Sequence, residues 1–267
     1  MLHHWIATLL ATLSLLGWGT EAHALIIDNF DDTSPYRLQI VTGTASDTRV
    51  PDGSGFALGG ERDLLVSAGG GGFGFVRGGI PDVGTGTSIG AFRFEVLGGL
   101  TKTGGFELQW DGVDMSANSP PNTSPVTGLG LDLTFIDGVA GIGVGGKFFE
   151  LVYNSTTGIA LNLALYDTSA RTATASFSLA ATGNDFGTFL YALSDLMFAS
   201  GFDVTSVAAI VLGAVNQPSG TDFTLTRFSI VPEPSSFGLL MTGTLAIVAG
   251  HVRRRSRRKF VSRAGTG

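Results

Sequence analysis

The residue types that carry most nucleophilic and metal-dependent chemistry are missing from the central part of this 267-residue chain. The chain has no cysteine, and its four histidines, His3, His4, His23 and His251, all lie in the two terminal segments. Residues 25–234 therefore have no Ser-His-Asp or Cys-His catalytic group and no His or Cys zinc site. Carboxylates are the chemistry-bearing groups that remain.

Two carboxylates that flank a glycosidic bond can hydrolyse it without another catalytic side chain. The nearest candidates for such a pair are Glu95, Glu107, Asp111 and Asp114. The alternative is that they are solvated side chains on the outward faces of strands. Two carboxyl groups about 5–10 Å apart in a cleft would favour a carboxylate-dependent, glycan-active enzyme. The expectation here is a non-enzymatic protein, with that enzyme as an alternative.

Glycan binding is a third possibility, and it needs an exposed aromatic side chain. Trp110 is the one tryptophan of residues 25–234, and polar residues that could bind sugar hydroxyls follow it. It alternates in phase with Phe106 and Leu108, however, and this spacing is typical of a core face. The sequence leaves both roles open for Trp110.

Alternation of apolar and polar residues organises the region between the terminal segments. Leu25 to Ile230 spans 206 residues, enough for one core. Its period of two and its Gly, Asn, Asp and Pro punctuation predict an all-β protein, with a single antiparallel, jelly-roll-like β-sandwich over residues 25–230. The clearest predicted strands are 92–96, 106–110, 129–135, 148–153, 159–166, 173–179 and 223–230.

Three further local predictions concern the connections. Residues 154–158 are typical of a hairpin turn. Residues 189–197 have apolar spacing that favours a short helix or helical turn at an open end of the sandwich. Residues 111–127, which contain three prolines, predict an exposed loop.

The charge of the chain divides sharply between its segments. Residues 25–234 carry 21 acidic and 9 basic residues, a net charge of about −12, whereas the whole chain has a formal charge of −6. An acidic domain of this kind repels nucleic acid, so we expect no nucleic-acid partner.

The ends of this region resemble the first and last strands of galactose-binding-like jelly rolls. The resemblance rests on residues 26–32 (Ile-Ile-Asp-Asn-Phe-Asp-Asp) and 220–225 (Gly-Thr-Asp-Phe-Thr-Leu). In such modules the terminal strands are neighbours, and acidic residues there often hold a structural calcium ion. The resemblance thus implies a calcium site at Asp28, Asp31, Asp32 and Asp222. Capping and turn formation by these residues is the alternative.

The N-terminus predicts export. Residues 6–16 form an apolar stretch, and Ala22-His23-Ala24 fits the small-x-small rule of signal peptidase, which predicts a signal peptide over residues 1–24. An uncleaved anchor is the alternative. The partners implied are the export translocon and signal peptidase.

The C-terminus has three consecutive parts. Pro232-Glu233-Pro234 disfavours helix, so a helix can begin only after Pro234. The 18 apolar residues 235–252 would then span about 27 Å as a helix, close to the thickness of a bilayer core. A basic cluster follows and predicts a cytoplasmic end; its members are Arg253, Arg254, Arg255, Arg257, Arg258 and Lys259.

This ending resembles the PEP-CTERM sorting signal of Gram-negative bacteria, which exosortase recognises in the membrane. The match covers residues 231–260 (motif, transmembrane helix and basic cluster), and residues 261–267 form a tail longer than is usual. The resemblance implies a surface or extracellular protein linked to exopolysaccharide and biofilm. It would begin as a precursor held in the inner membrane by the C-terminal helix, and exosortase would process it near Pro234. A plain tail anchor is the alternative.

Overall fold

Alternating apolar and polar residues become the two faces of antiparallel strands in a computed structural model, which describes residues 24–53, 55–81, 90–117, 120–135, 146–183 and 185–232. The strands within these ranges are β1 (Leu25–Asp28), β2 (Tyr36–Ile40), β3 (Gly43–Arg49), β4 (Arg62–Gly69), β5 (Gly74–Ile80), β6 (Phe92–Gly98), β7 (Thr103–Trp110), β8 (Lys147–Ser155), β9 (Ile159–Asp167), β10 (Thr172–Leu179), β11 (Gly187–Ala192), β12 (Met197–Phe198), β13 (Val207–Pro218) and β14 (Asp222–Pro232). Short 3₁₀ turns occur at Leu58–Gly60, Leu133–Phe135 and Leu193–Asp195.

Two seven-stranded sheets form the sandwich. Sheet A has the order β11-β8-β14-β6-β5-β2, with β1 also paired to β14. Sheet B has the order β12-β10-β9-β13-β7-β4-β3. The strand pairs whose register is given are antiparallel. The prediction of an all-β antiparallel sandwich is therefore confirmed.

Aromatic side chains fill the space between the sheets. Phe106 of sheet B stacks on Phe223 of sheet A, with ring centroids 5.9 Å apart, and it also contacts Phe92 and Phe94 at 5.0 and 4.9 Å. All four rings are at most 3% exposed. Burying one such side chain stabilises a fold by about 1.5–3 kcal/mol, so this cluster ties the sheets together.

The first and last strands, β1 and β14, are neighbours in sheet A, as the resemblance implied. Leu25 of β1 pairs with Ile230 of β14, and Ile26 pairs with Ser229. The terminal strands are thus hydrogen-bonded neighbours in sheet A through residues 228–230, whereas residues 222–225 pair with β6.

Three local predictions were wrong. Residues 154–158 do not close a hairpin, because β8 belongs to sheet A and β9 to sheet B, so this segment crosses between the sheets. Residues 187–192 form strand β11 beside β8, and only residues 193–195 make a helical turn. The predicted strand 129–135 is reduced to a bridge between Leu131 and Val207 followed by a 3₁₀ turn.

Several predictions concern segments outside the described residues. The signal peptide, the apolar segment 235–252, the basic cluster and the motif residues Glu233 and Pro234 all belong to this group. The described ranges contain no α-helix, so no helix there is long enough to cross a membrane.

Candidate functional site

Two of the four predicted calcium ligands, Asp28 and Asp32, form ion pairs with the side chain of Arg62. Arg62, the first residue of β4, points into the core and is fully buried. Its Nη1 donates to Asp32 Oδ2 at 2.8 Å, while its Nε and Nη2 donate to the two carboxylate oxygens of Asp28. Burial opposes the charge of Arg62, yet the charges of Asp28, Tyr36 and Asp32 outweigh it and hold the pKa of Arg62 well above its usual value.

The other oxygen contacts of Asp28 are supplied by the protein as well. Trp110 Nε1 donates to Asp28 Oδ2 at 2.8 Å, and the backbone N–H of Phe30 donates to Oδ1 at 2.8 Å. A single guanidinium thus binds both acids at this end of the sandwich, where the resemblance implied a calcium ion.

The remaining predicted ligands lie elsewhere. Asp31 is exposed. Asp222 is at the start of β14, six residues before the part that pairs with β1, and it binds Arg93 Nη2 at 2.6 Å. The structure brings Asp28 and Asp32 together but not Asp222.

The same hydrogen-bond network explains the position of the Trp110 side chain. Its side chain is fully buried, packs on Phe228 with ring centroids 5.3 Å apart, and uses its N–H on Asp28. It therefore faces the core and does not offer a surface for a glycan.

A cluster of carboxylates lies where β4 begins and β7 ends. Because side chains alternate along a strand, Glu61 and Asp63 point away from the core while Arg62 between them points into it. Carboxylate oxygens of Glu61, Asp63 and Asp114 all lie within 4.8 Å of one another. Asp111, the residue after β7, is next to them and influences the pKa of Asp63.

The hydrogen bonds of this acidic cluster are incomplete. Asp63 Oδ1 accepts from Thr48 Oγ1 at 2.7 Å, but Asp63 Oδ2 is buried and has no partner. Glu61 accepts from the N–H of Met115 at 2.9 Å, which attaches the loop after β7 to the start of β4. Asp111 Oδ2 accepts from the N–H of Asn122 at 2.6 Å.

Burial and mutual repulsion perturb the titration of the cluster. Burial raises the pKa of Asp63 to about 8, and the charges of Asp111, Glu61 and Asp114 add to the effect. Burial likewise raises the pKa of Asp111 to about 6. Carboxyl groups with raised pKa values can act as proton donors. In this cluster the raised pKa values also reflect carboxyl groups that form no ion pair with a lysine or arginine of the described residues.

The side of sheet B that faces away from sheet A continues from this cluster across six strands; Ser46, Asn162 and Ser176 are exposed there, and Asp63, Gln109, Val211 and Gly213 are buried. We call this side the sheet B face; its rows follow from the strand register. One row is Thr48, Asp63, Gln109, Val211, Ala164 and Thr174. The next row is Ser46, Leu65, Glu107, Gly213, Asn162 and Ser176.

The middle of the second row has a glycine between two polar side chains. Gly213 has no side chain, and it separates Glu107 from Asn162 by two strand spacings, about 10 Å. Asn162 is exposed and accepts from Ser176 Oγ at 2.7 Å. Burial, together with the charge of Glu107, raises the pKa of the partly exposed Tyr166.

The outward face of sheet A carries a different arrangement. A shallow pocket of about 180 Å³ is lined by Arg37, Arg77, Gly79, Pro81, Arg93 and Glu95. Glu95, one of the predicted catalytic carboxylates, is paired with Arg77 and Arg93 there. The four predicted carboxylates therefore separate: Asp111 and Asp114 meet in the acidic cluster, Glu107 lies on the sheet B face and Glu95 on sheet A.

Sequence reasoning missed Glu61 and Asp63. The signal was present in the triplet Glu61-Arg62-Asp63, where two acids flank a base at the start of an apolar strand. Their contact with Asp114, however, depends on the pairing of β4 with β7.

The fold and site define an antiparallel β-sandwich with one polar sheet face and an acidic cluster beside it. No family model and no curated protein matches the sequence. Among solved structures, a family 30 carbohydrate-binding module is similar at 14% identity and a TM-score of 0.40, covering 81% of this chain and 91% of that one. The family 11 carbohydrate-binding module of the cellulase Lic26A-Cel5E of Clostridium thermocellum is similar at 10% identity and a TM-score of 0.33, with coverages of 79% and 95%.

Longer proteins are also similar to this chain over part of their length. The agarase AgWH50C is similar at 10% identity and a TM-score of 0.34 over 55% of this chain. This chain spans only 21% of that agarase and 23% of PfGH50B. At such low identities and scores these likenesses say nothing about function.

Proposed function

We propose that this chain is an exported, non-enzymatic surface protein whose β-sandwich binds a glycan on the sheet B face. The observation that carries the proposal is the pair of polar side chains, Asn162 and Glu107, on the two strands that flank Gly213. The amide and the carboxylate offer hydrogen bonds to sugar hydroxyls, and the partly exposed Tyr166 lies farther along the same side of β9. A few well-placed polar groups beside an aromatic ring are typical of sugar-binding surfaces.

The exposed part of the face favours a ligand that lies on the surface. Ser46, Asn162 and Ser176 are short and exposed, whereas Asp63, Gln109, Val211 and Gly213 are buried. A polysaccharide could therefore contact the exposed positions without displacing bulky residues. Its neutral or basic sugars would suit the acidic net charge of the domain.

The same residues support a binding role over a catalytic one. Histidine and cysteine are absent from residues 25–234. Asp63, whose pKa is raised by burial to about 8, has no exposed surface from which it could reach a glycosidic oxygen. Asp111 is only 2% exposed.

Binding can be tested by affinity electrophoresis of the purified protein in gels that contain neutral, acidic or amino-sugar polysaccharides. We expect retardation by at least one polysaccharide, and a loss of at least about tenfold in affinity for Asn162→Ala and for Glu107→Gln, since each removes hydrogen bonds worth about 1–1.5 kcal/mol. Gln39→Ala is the matched control, because Gln39 is exposed on sheet A. Equal retardation of all four proteins, or of none, would refute the proposal.

The second part of the proposal concerns sorting. The order of turn, apolar segment and basic cluster supports exosortase processing of a precursor that has residues 25–234 outside the membrane. Changing Pro232-Glu233-Pro234 to three alanines should leave export intact and hold the protein in the membrane at full length. Mass spectrometry of the surface and medium fractions provides the readout. Wild-type protein that still carries residues 235–267 in those fractions would show that the segment is only an anchor.

A further inference from the structure

The acidic cluster has the spacing of a cation site. Carboxylate oxygens of Glu61, Asp63 and Asp114 lie within 4.8 Å of one another. Calcium binds oxygen ligands at about 2.3–2.6 Å, so ligands on one ion are separated by no more than about 5 Å. Three carboxylates at this separation can share one ion without a change in the backbone.

An oxygen of the same cluster lacks a hydrogen-bond partner. Asp63 is 0% exposed, and its Oδ2 has no hydrogen-bond partner. Leaving a buried polar oxygen without a partner costs about 1–3 kcal/mol, so native structures rarely keep one. A cation between Asp63, Glu61 and Asp114 would provide the missing partner.

No base of the described residues supplies that positive charge. Arg62 is adjacent in sequence, but its guanidinium is bound to Asp28 and Asp32 on the core side of the sheet. Glu61, Asp63 and Asp114 form no ion pair with any lysine or arginine in the described part of the chain.

The geometry points to a calcium site formed by Glu61, Asp63 and Asp114, distinct from the terminal acids Asp28, Asp31, Asp32 and Asp222. All its side-chain ligands are carboxylate oxygens, which suit a hard cation such as Ca²⁺ and do not suit Zn²⁺ or Cu²⁺. Calcium tolerates irregular ligand positions and fills its remaining coordination with water on the side where Asp114 is exposed.

The site would link two segments that are distant in sequence. Glu61 and Asp63 belong to the start of β4, whereas Asp114 belongs to the loop after β7. Among the described residues, the N–H of Met115 joins that loop to the cluster by donating to the carboxylate of Glu61. The ion thus fixes the loop against the edge of the sheet B face. This site does not depend on the proposed glycan binding.

The test is isothermal titration of the full-length protein, in detergent and stripped with EDTA, with CaCl₂ and separately with MgCl₂. We expect one Ca²⁺ per chain, and at 100 times the dissociation constant a rise in Tm of about 5–10 °C. Asp63→Asn and Asp114→Asn should each weaken Ca²⁺ binding at least about tenfold, since each removes a charged ligand. Asp114 is exposed, so its variant keeps the fold testable even if Asp63→Asn is unstable.

Two control variants locate the ion. Asp195→Asn changes an exposed acid on a distant 3₁₀ turn and should bind Ca²⁺ like the wild type. Asp222→Asn should also leave binding unchanged. Absence of binding at millimolar Ca²⁺, unchanged binding in both Asp63→Asn and Asp114→Asn, or loss of binding in Asp222→Asn alone would each overturn the proposal. A preference for Mg²⁺ would overturn the assignment of calcium.

Discussion

Replacing Arg62 by methionine should be among the most destabilising single substitutions in this protein. Methionine matches much of the length of the side chain but removes the charge that Asp28 and Asp32 share. Both acids are at most 5% exposed, so water cannot replace the guanidinium. Removing one partner of a buried ion pair typically costs about 3–5 kcal/mol. Arg62 also lies 4.7 Å from the centre of the Phe30 ring, and that contact is lost as well.

Urea unfolding followed by circular dichroism measures this loss directly. For a domain of about 200 residues, 3–5 kcal/mol corresponds to a fall in Tm of about 6–20 °C. The deficit of Arg62→Met should shrink as the pH falls from 7 to 4, because burial raises the pKa of Asp28 and its protonation removes an unpaired buried charge.

A surface pair provides the control. Arg227 binds Glu150 at 2.7 Å, and the side chain of Arg227 is 48% exposed. Arg227→Met should therefore cost no more than about 1 kcal/mol. If Arg62→Met were destabilised by no more than Arg227→Met, the reasoning that Arg62 neutralises a buried charge would be refuted.

Three further predictions follow from the core and the acidic cluster. In EDTA, the wild type should lose stability as the pH rises from 4 to 8, because the folded pKa of Asp63 is about 8 and its unfolded value is 3.8, so the folded state binds the proton more tightly. Urea midpoints at pH 5 and 8 should differ less in Asp63→Asn, and an equal difference would contradict the assignment. Gly104→Ala should cost about 1–3 kcal/mol in urea unfolding, since the added Cβ would lie 2.7 Å from Val76, whereas Gly71→Ala, with nothing within 4 Å, should change stability by less than about 0.5 kcal/mol. Phe223→Ala should lower the free energy of unfolding by about 3–5 kcal/mol, because its buried ring stacks on Phe106, and a loss below 1 kcal/mol would contradict that packing.

The fold class could be predicted because it depends on local patterns. In β6, Phe92 and Phe94 are buried and Arg93 between them is partly exposed, and the sequence alone shows this alternation. The partner of each strand does not depend on local pattern. Residues 154–158 have the composition of a hairpin turn, yet the strands on either side join different sheets.

Tertiary contacts also explain the missed strand β11. Phe189 and Tyr191 both stack on Phe177 of β10, with ring centroids 4.9 and 5.2 Å apart. That arrangement uses alternate residues of an extended chain, and the aromatic partner lies in a different strand. The helical spacing of residues 189–197 gave no information about it.

The candidate sites show the same limit. Asp28 and Asp32 could be recognised as acids that need a cation, but the sequence does not show that Arg62, 34 residues after Asp28, supplies it. The acidic cluster forms because β4 pairs with β7, so residues 61 and 63 meet residue 114 only in the folded chain. Long-range register, which single-sequence patterns do not contain, decides both outcomes.

The position of β14 determines how this domain responds to mechanical force at its C-terminal end. β14 lies between β8 on one side and, on the other, β6 along its first half and β1 along its second half. A pull on Pro232 along the strand would load these hydrogen bonds together in shear, and the strand cannot leave without breaking them at once. A pull on Leu25 would open only the short pairing of β1 with β14, one bond after another. A tether at the C-terminus would therefore act on a strand that is hydrogen-bonded to neighbours along both of its edges.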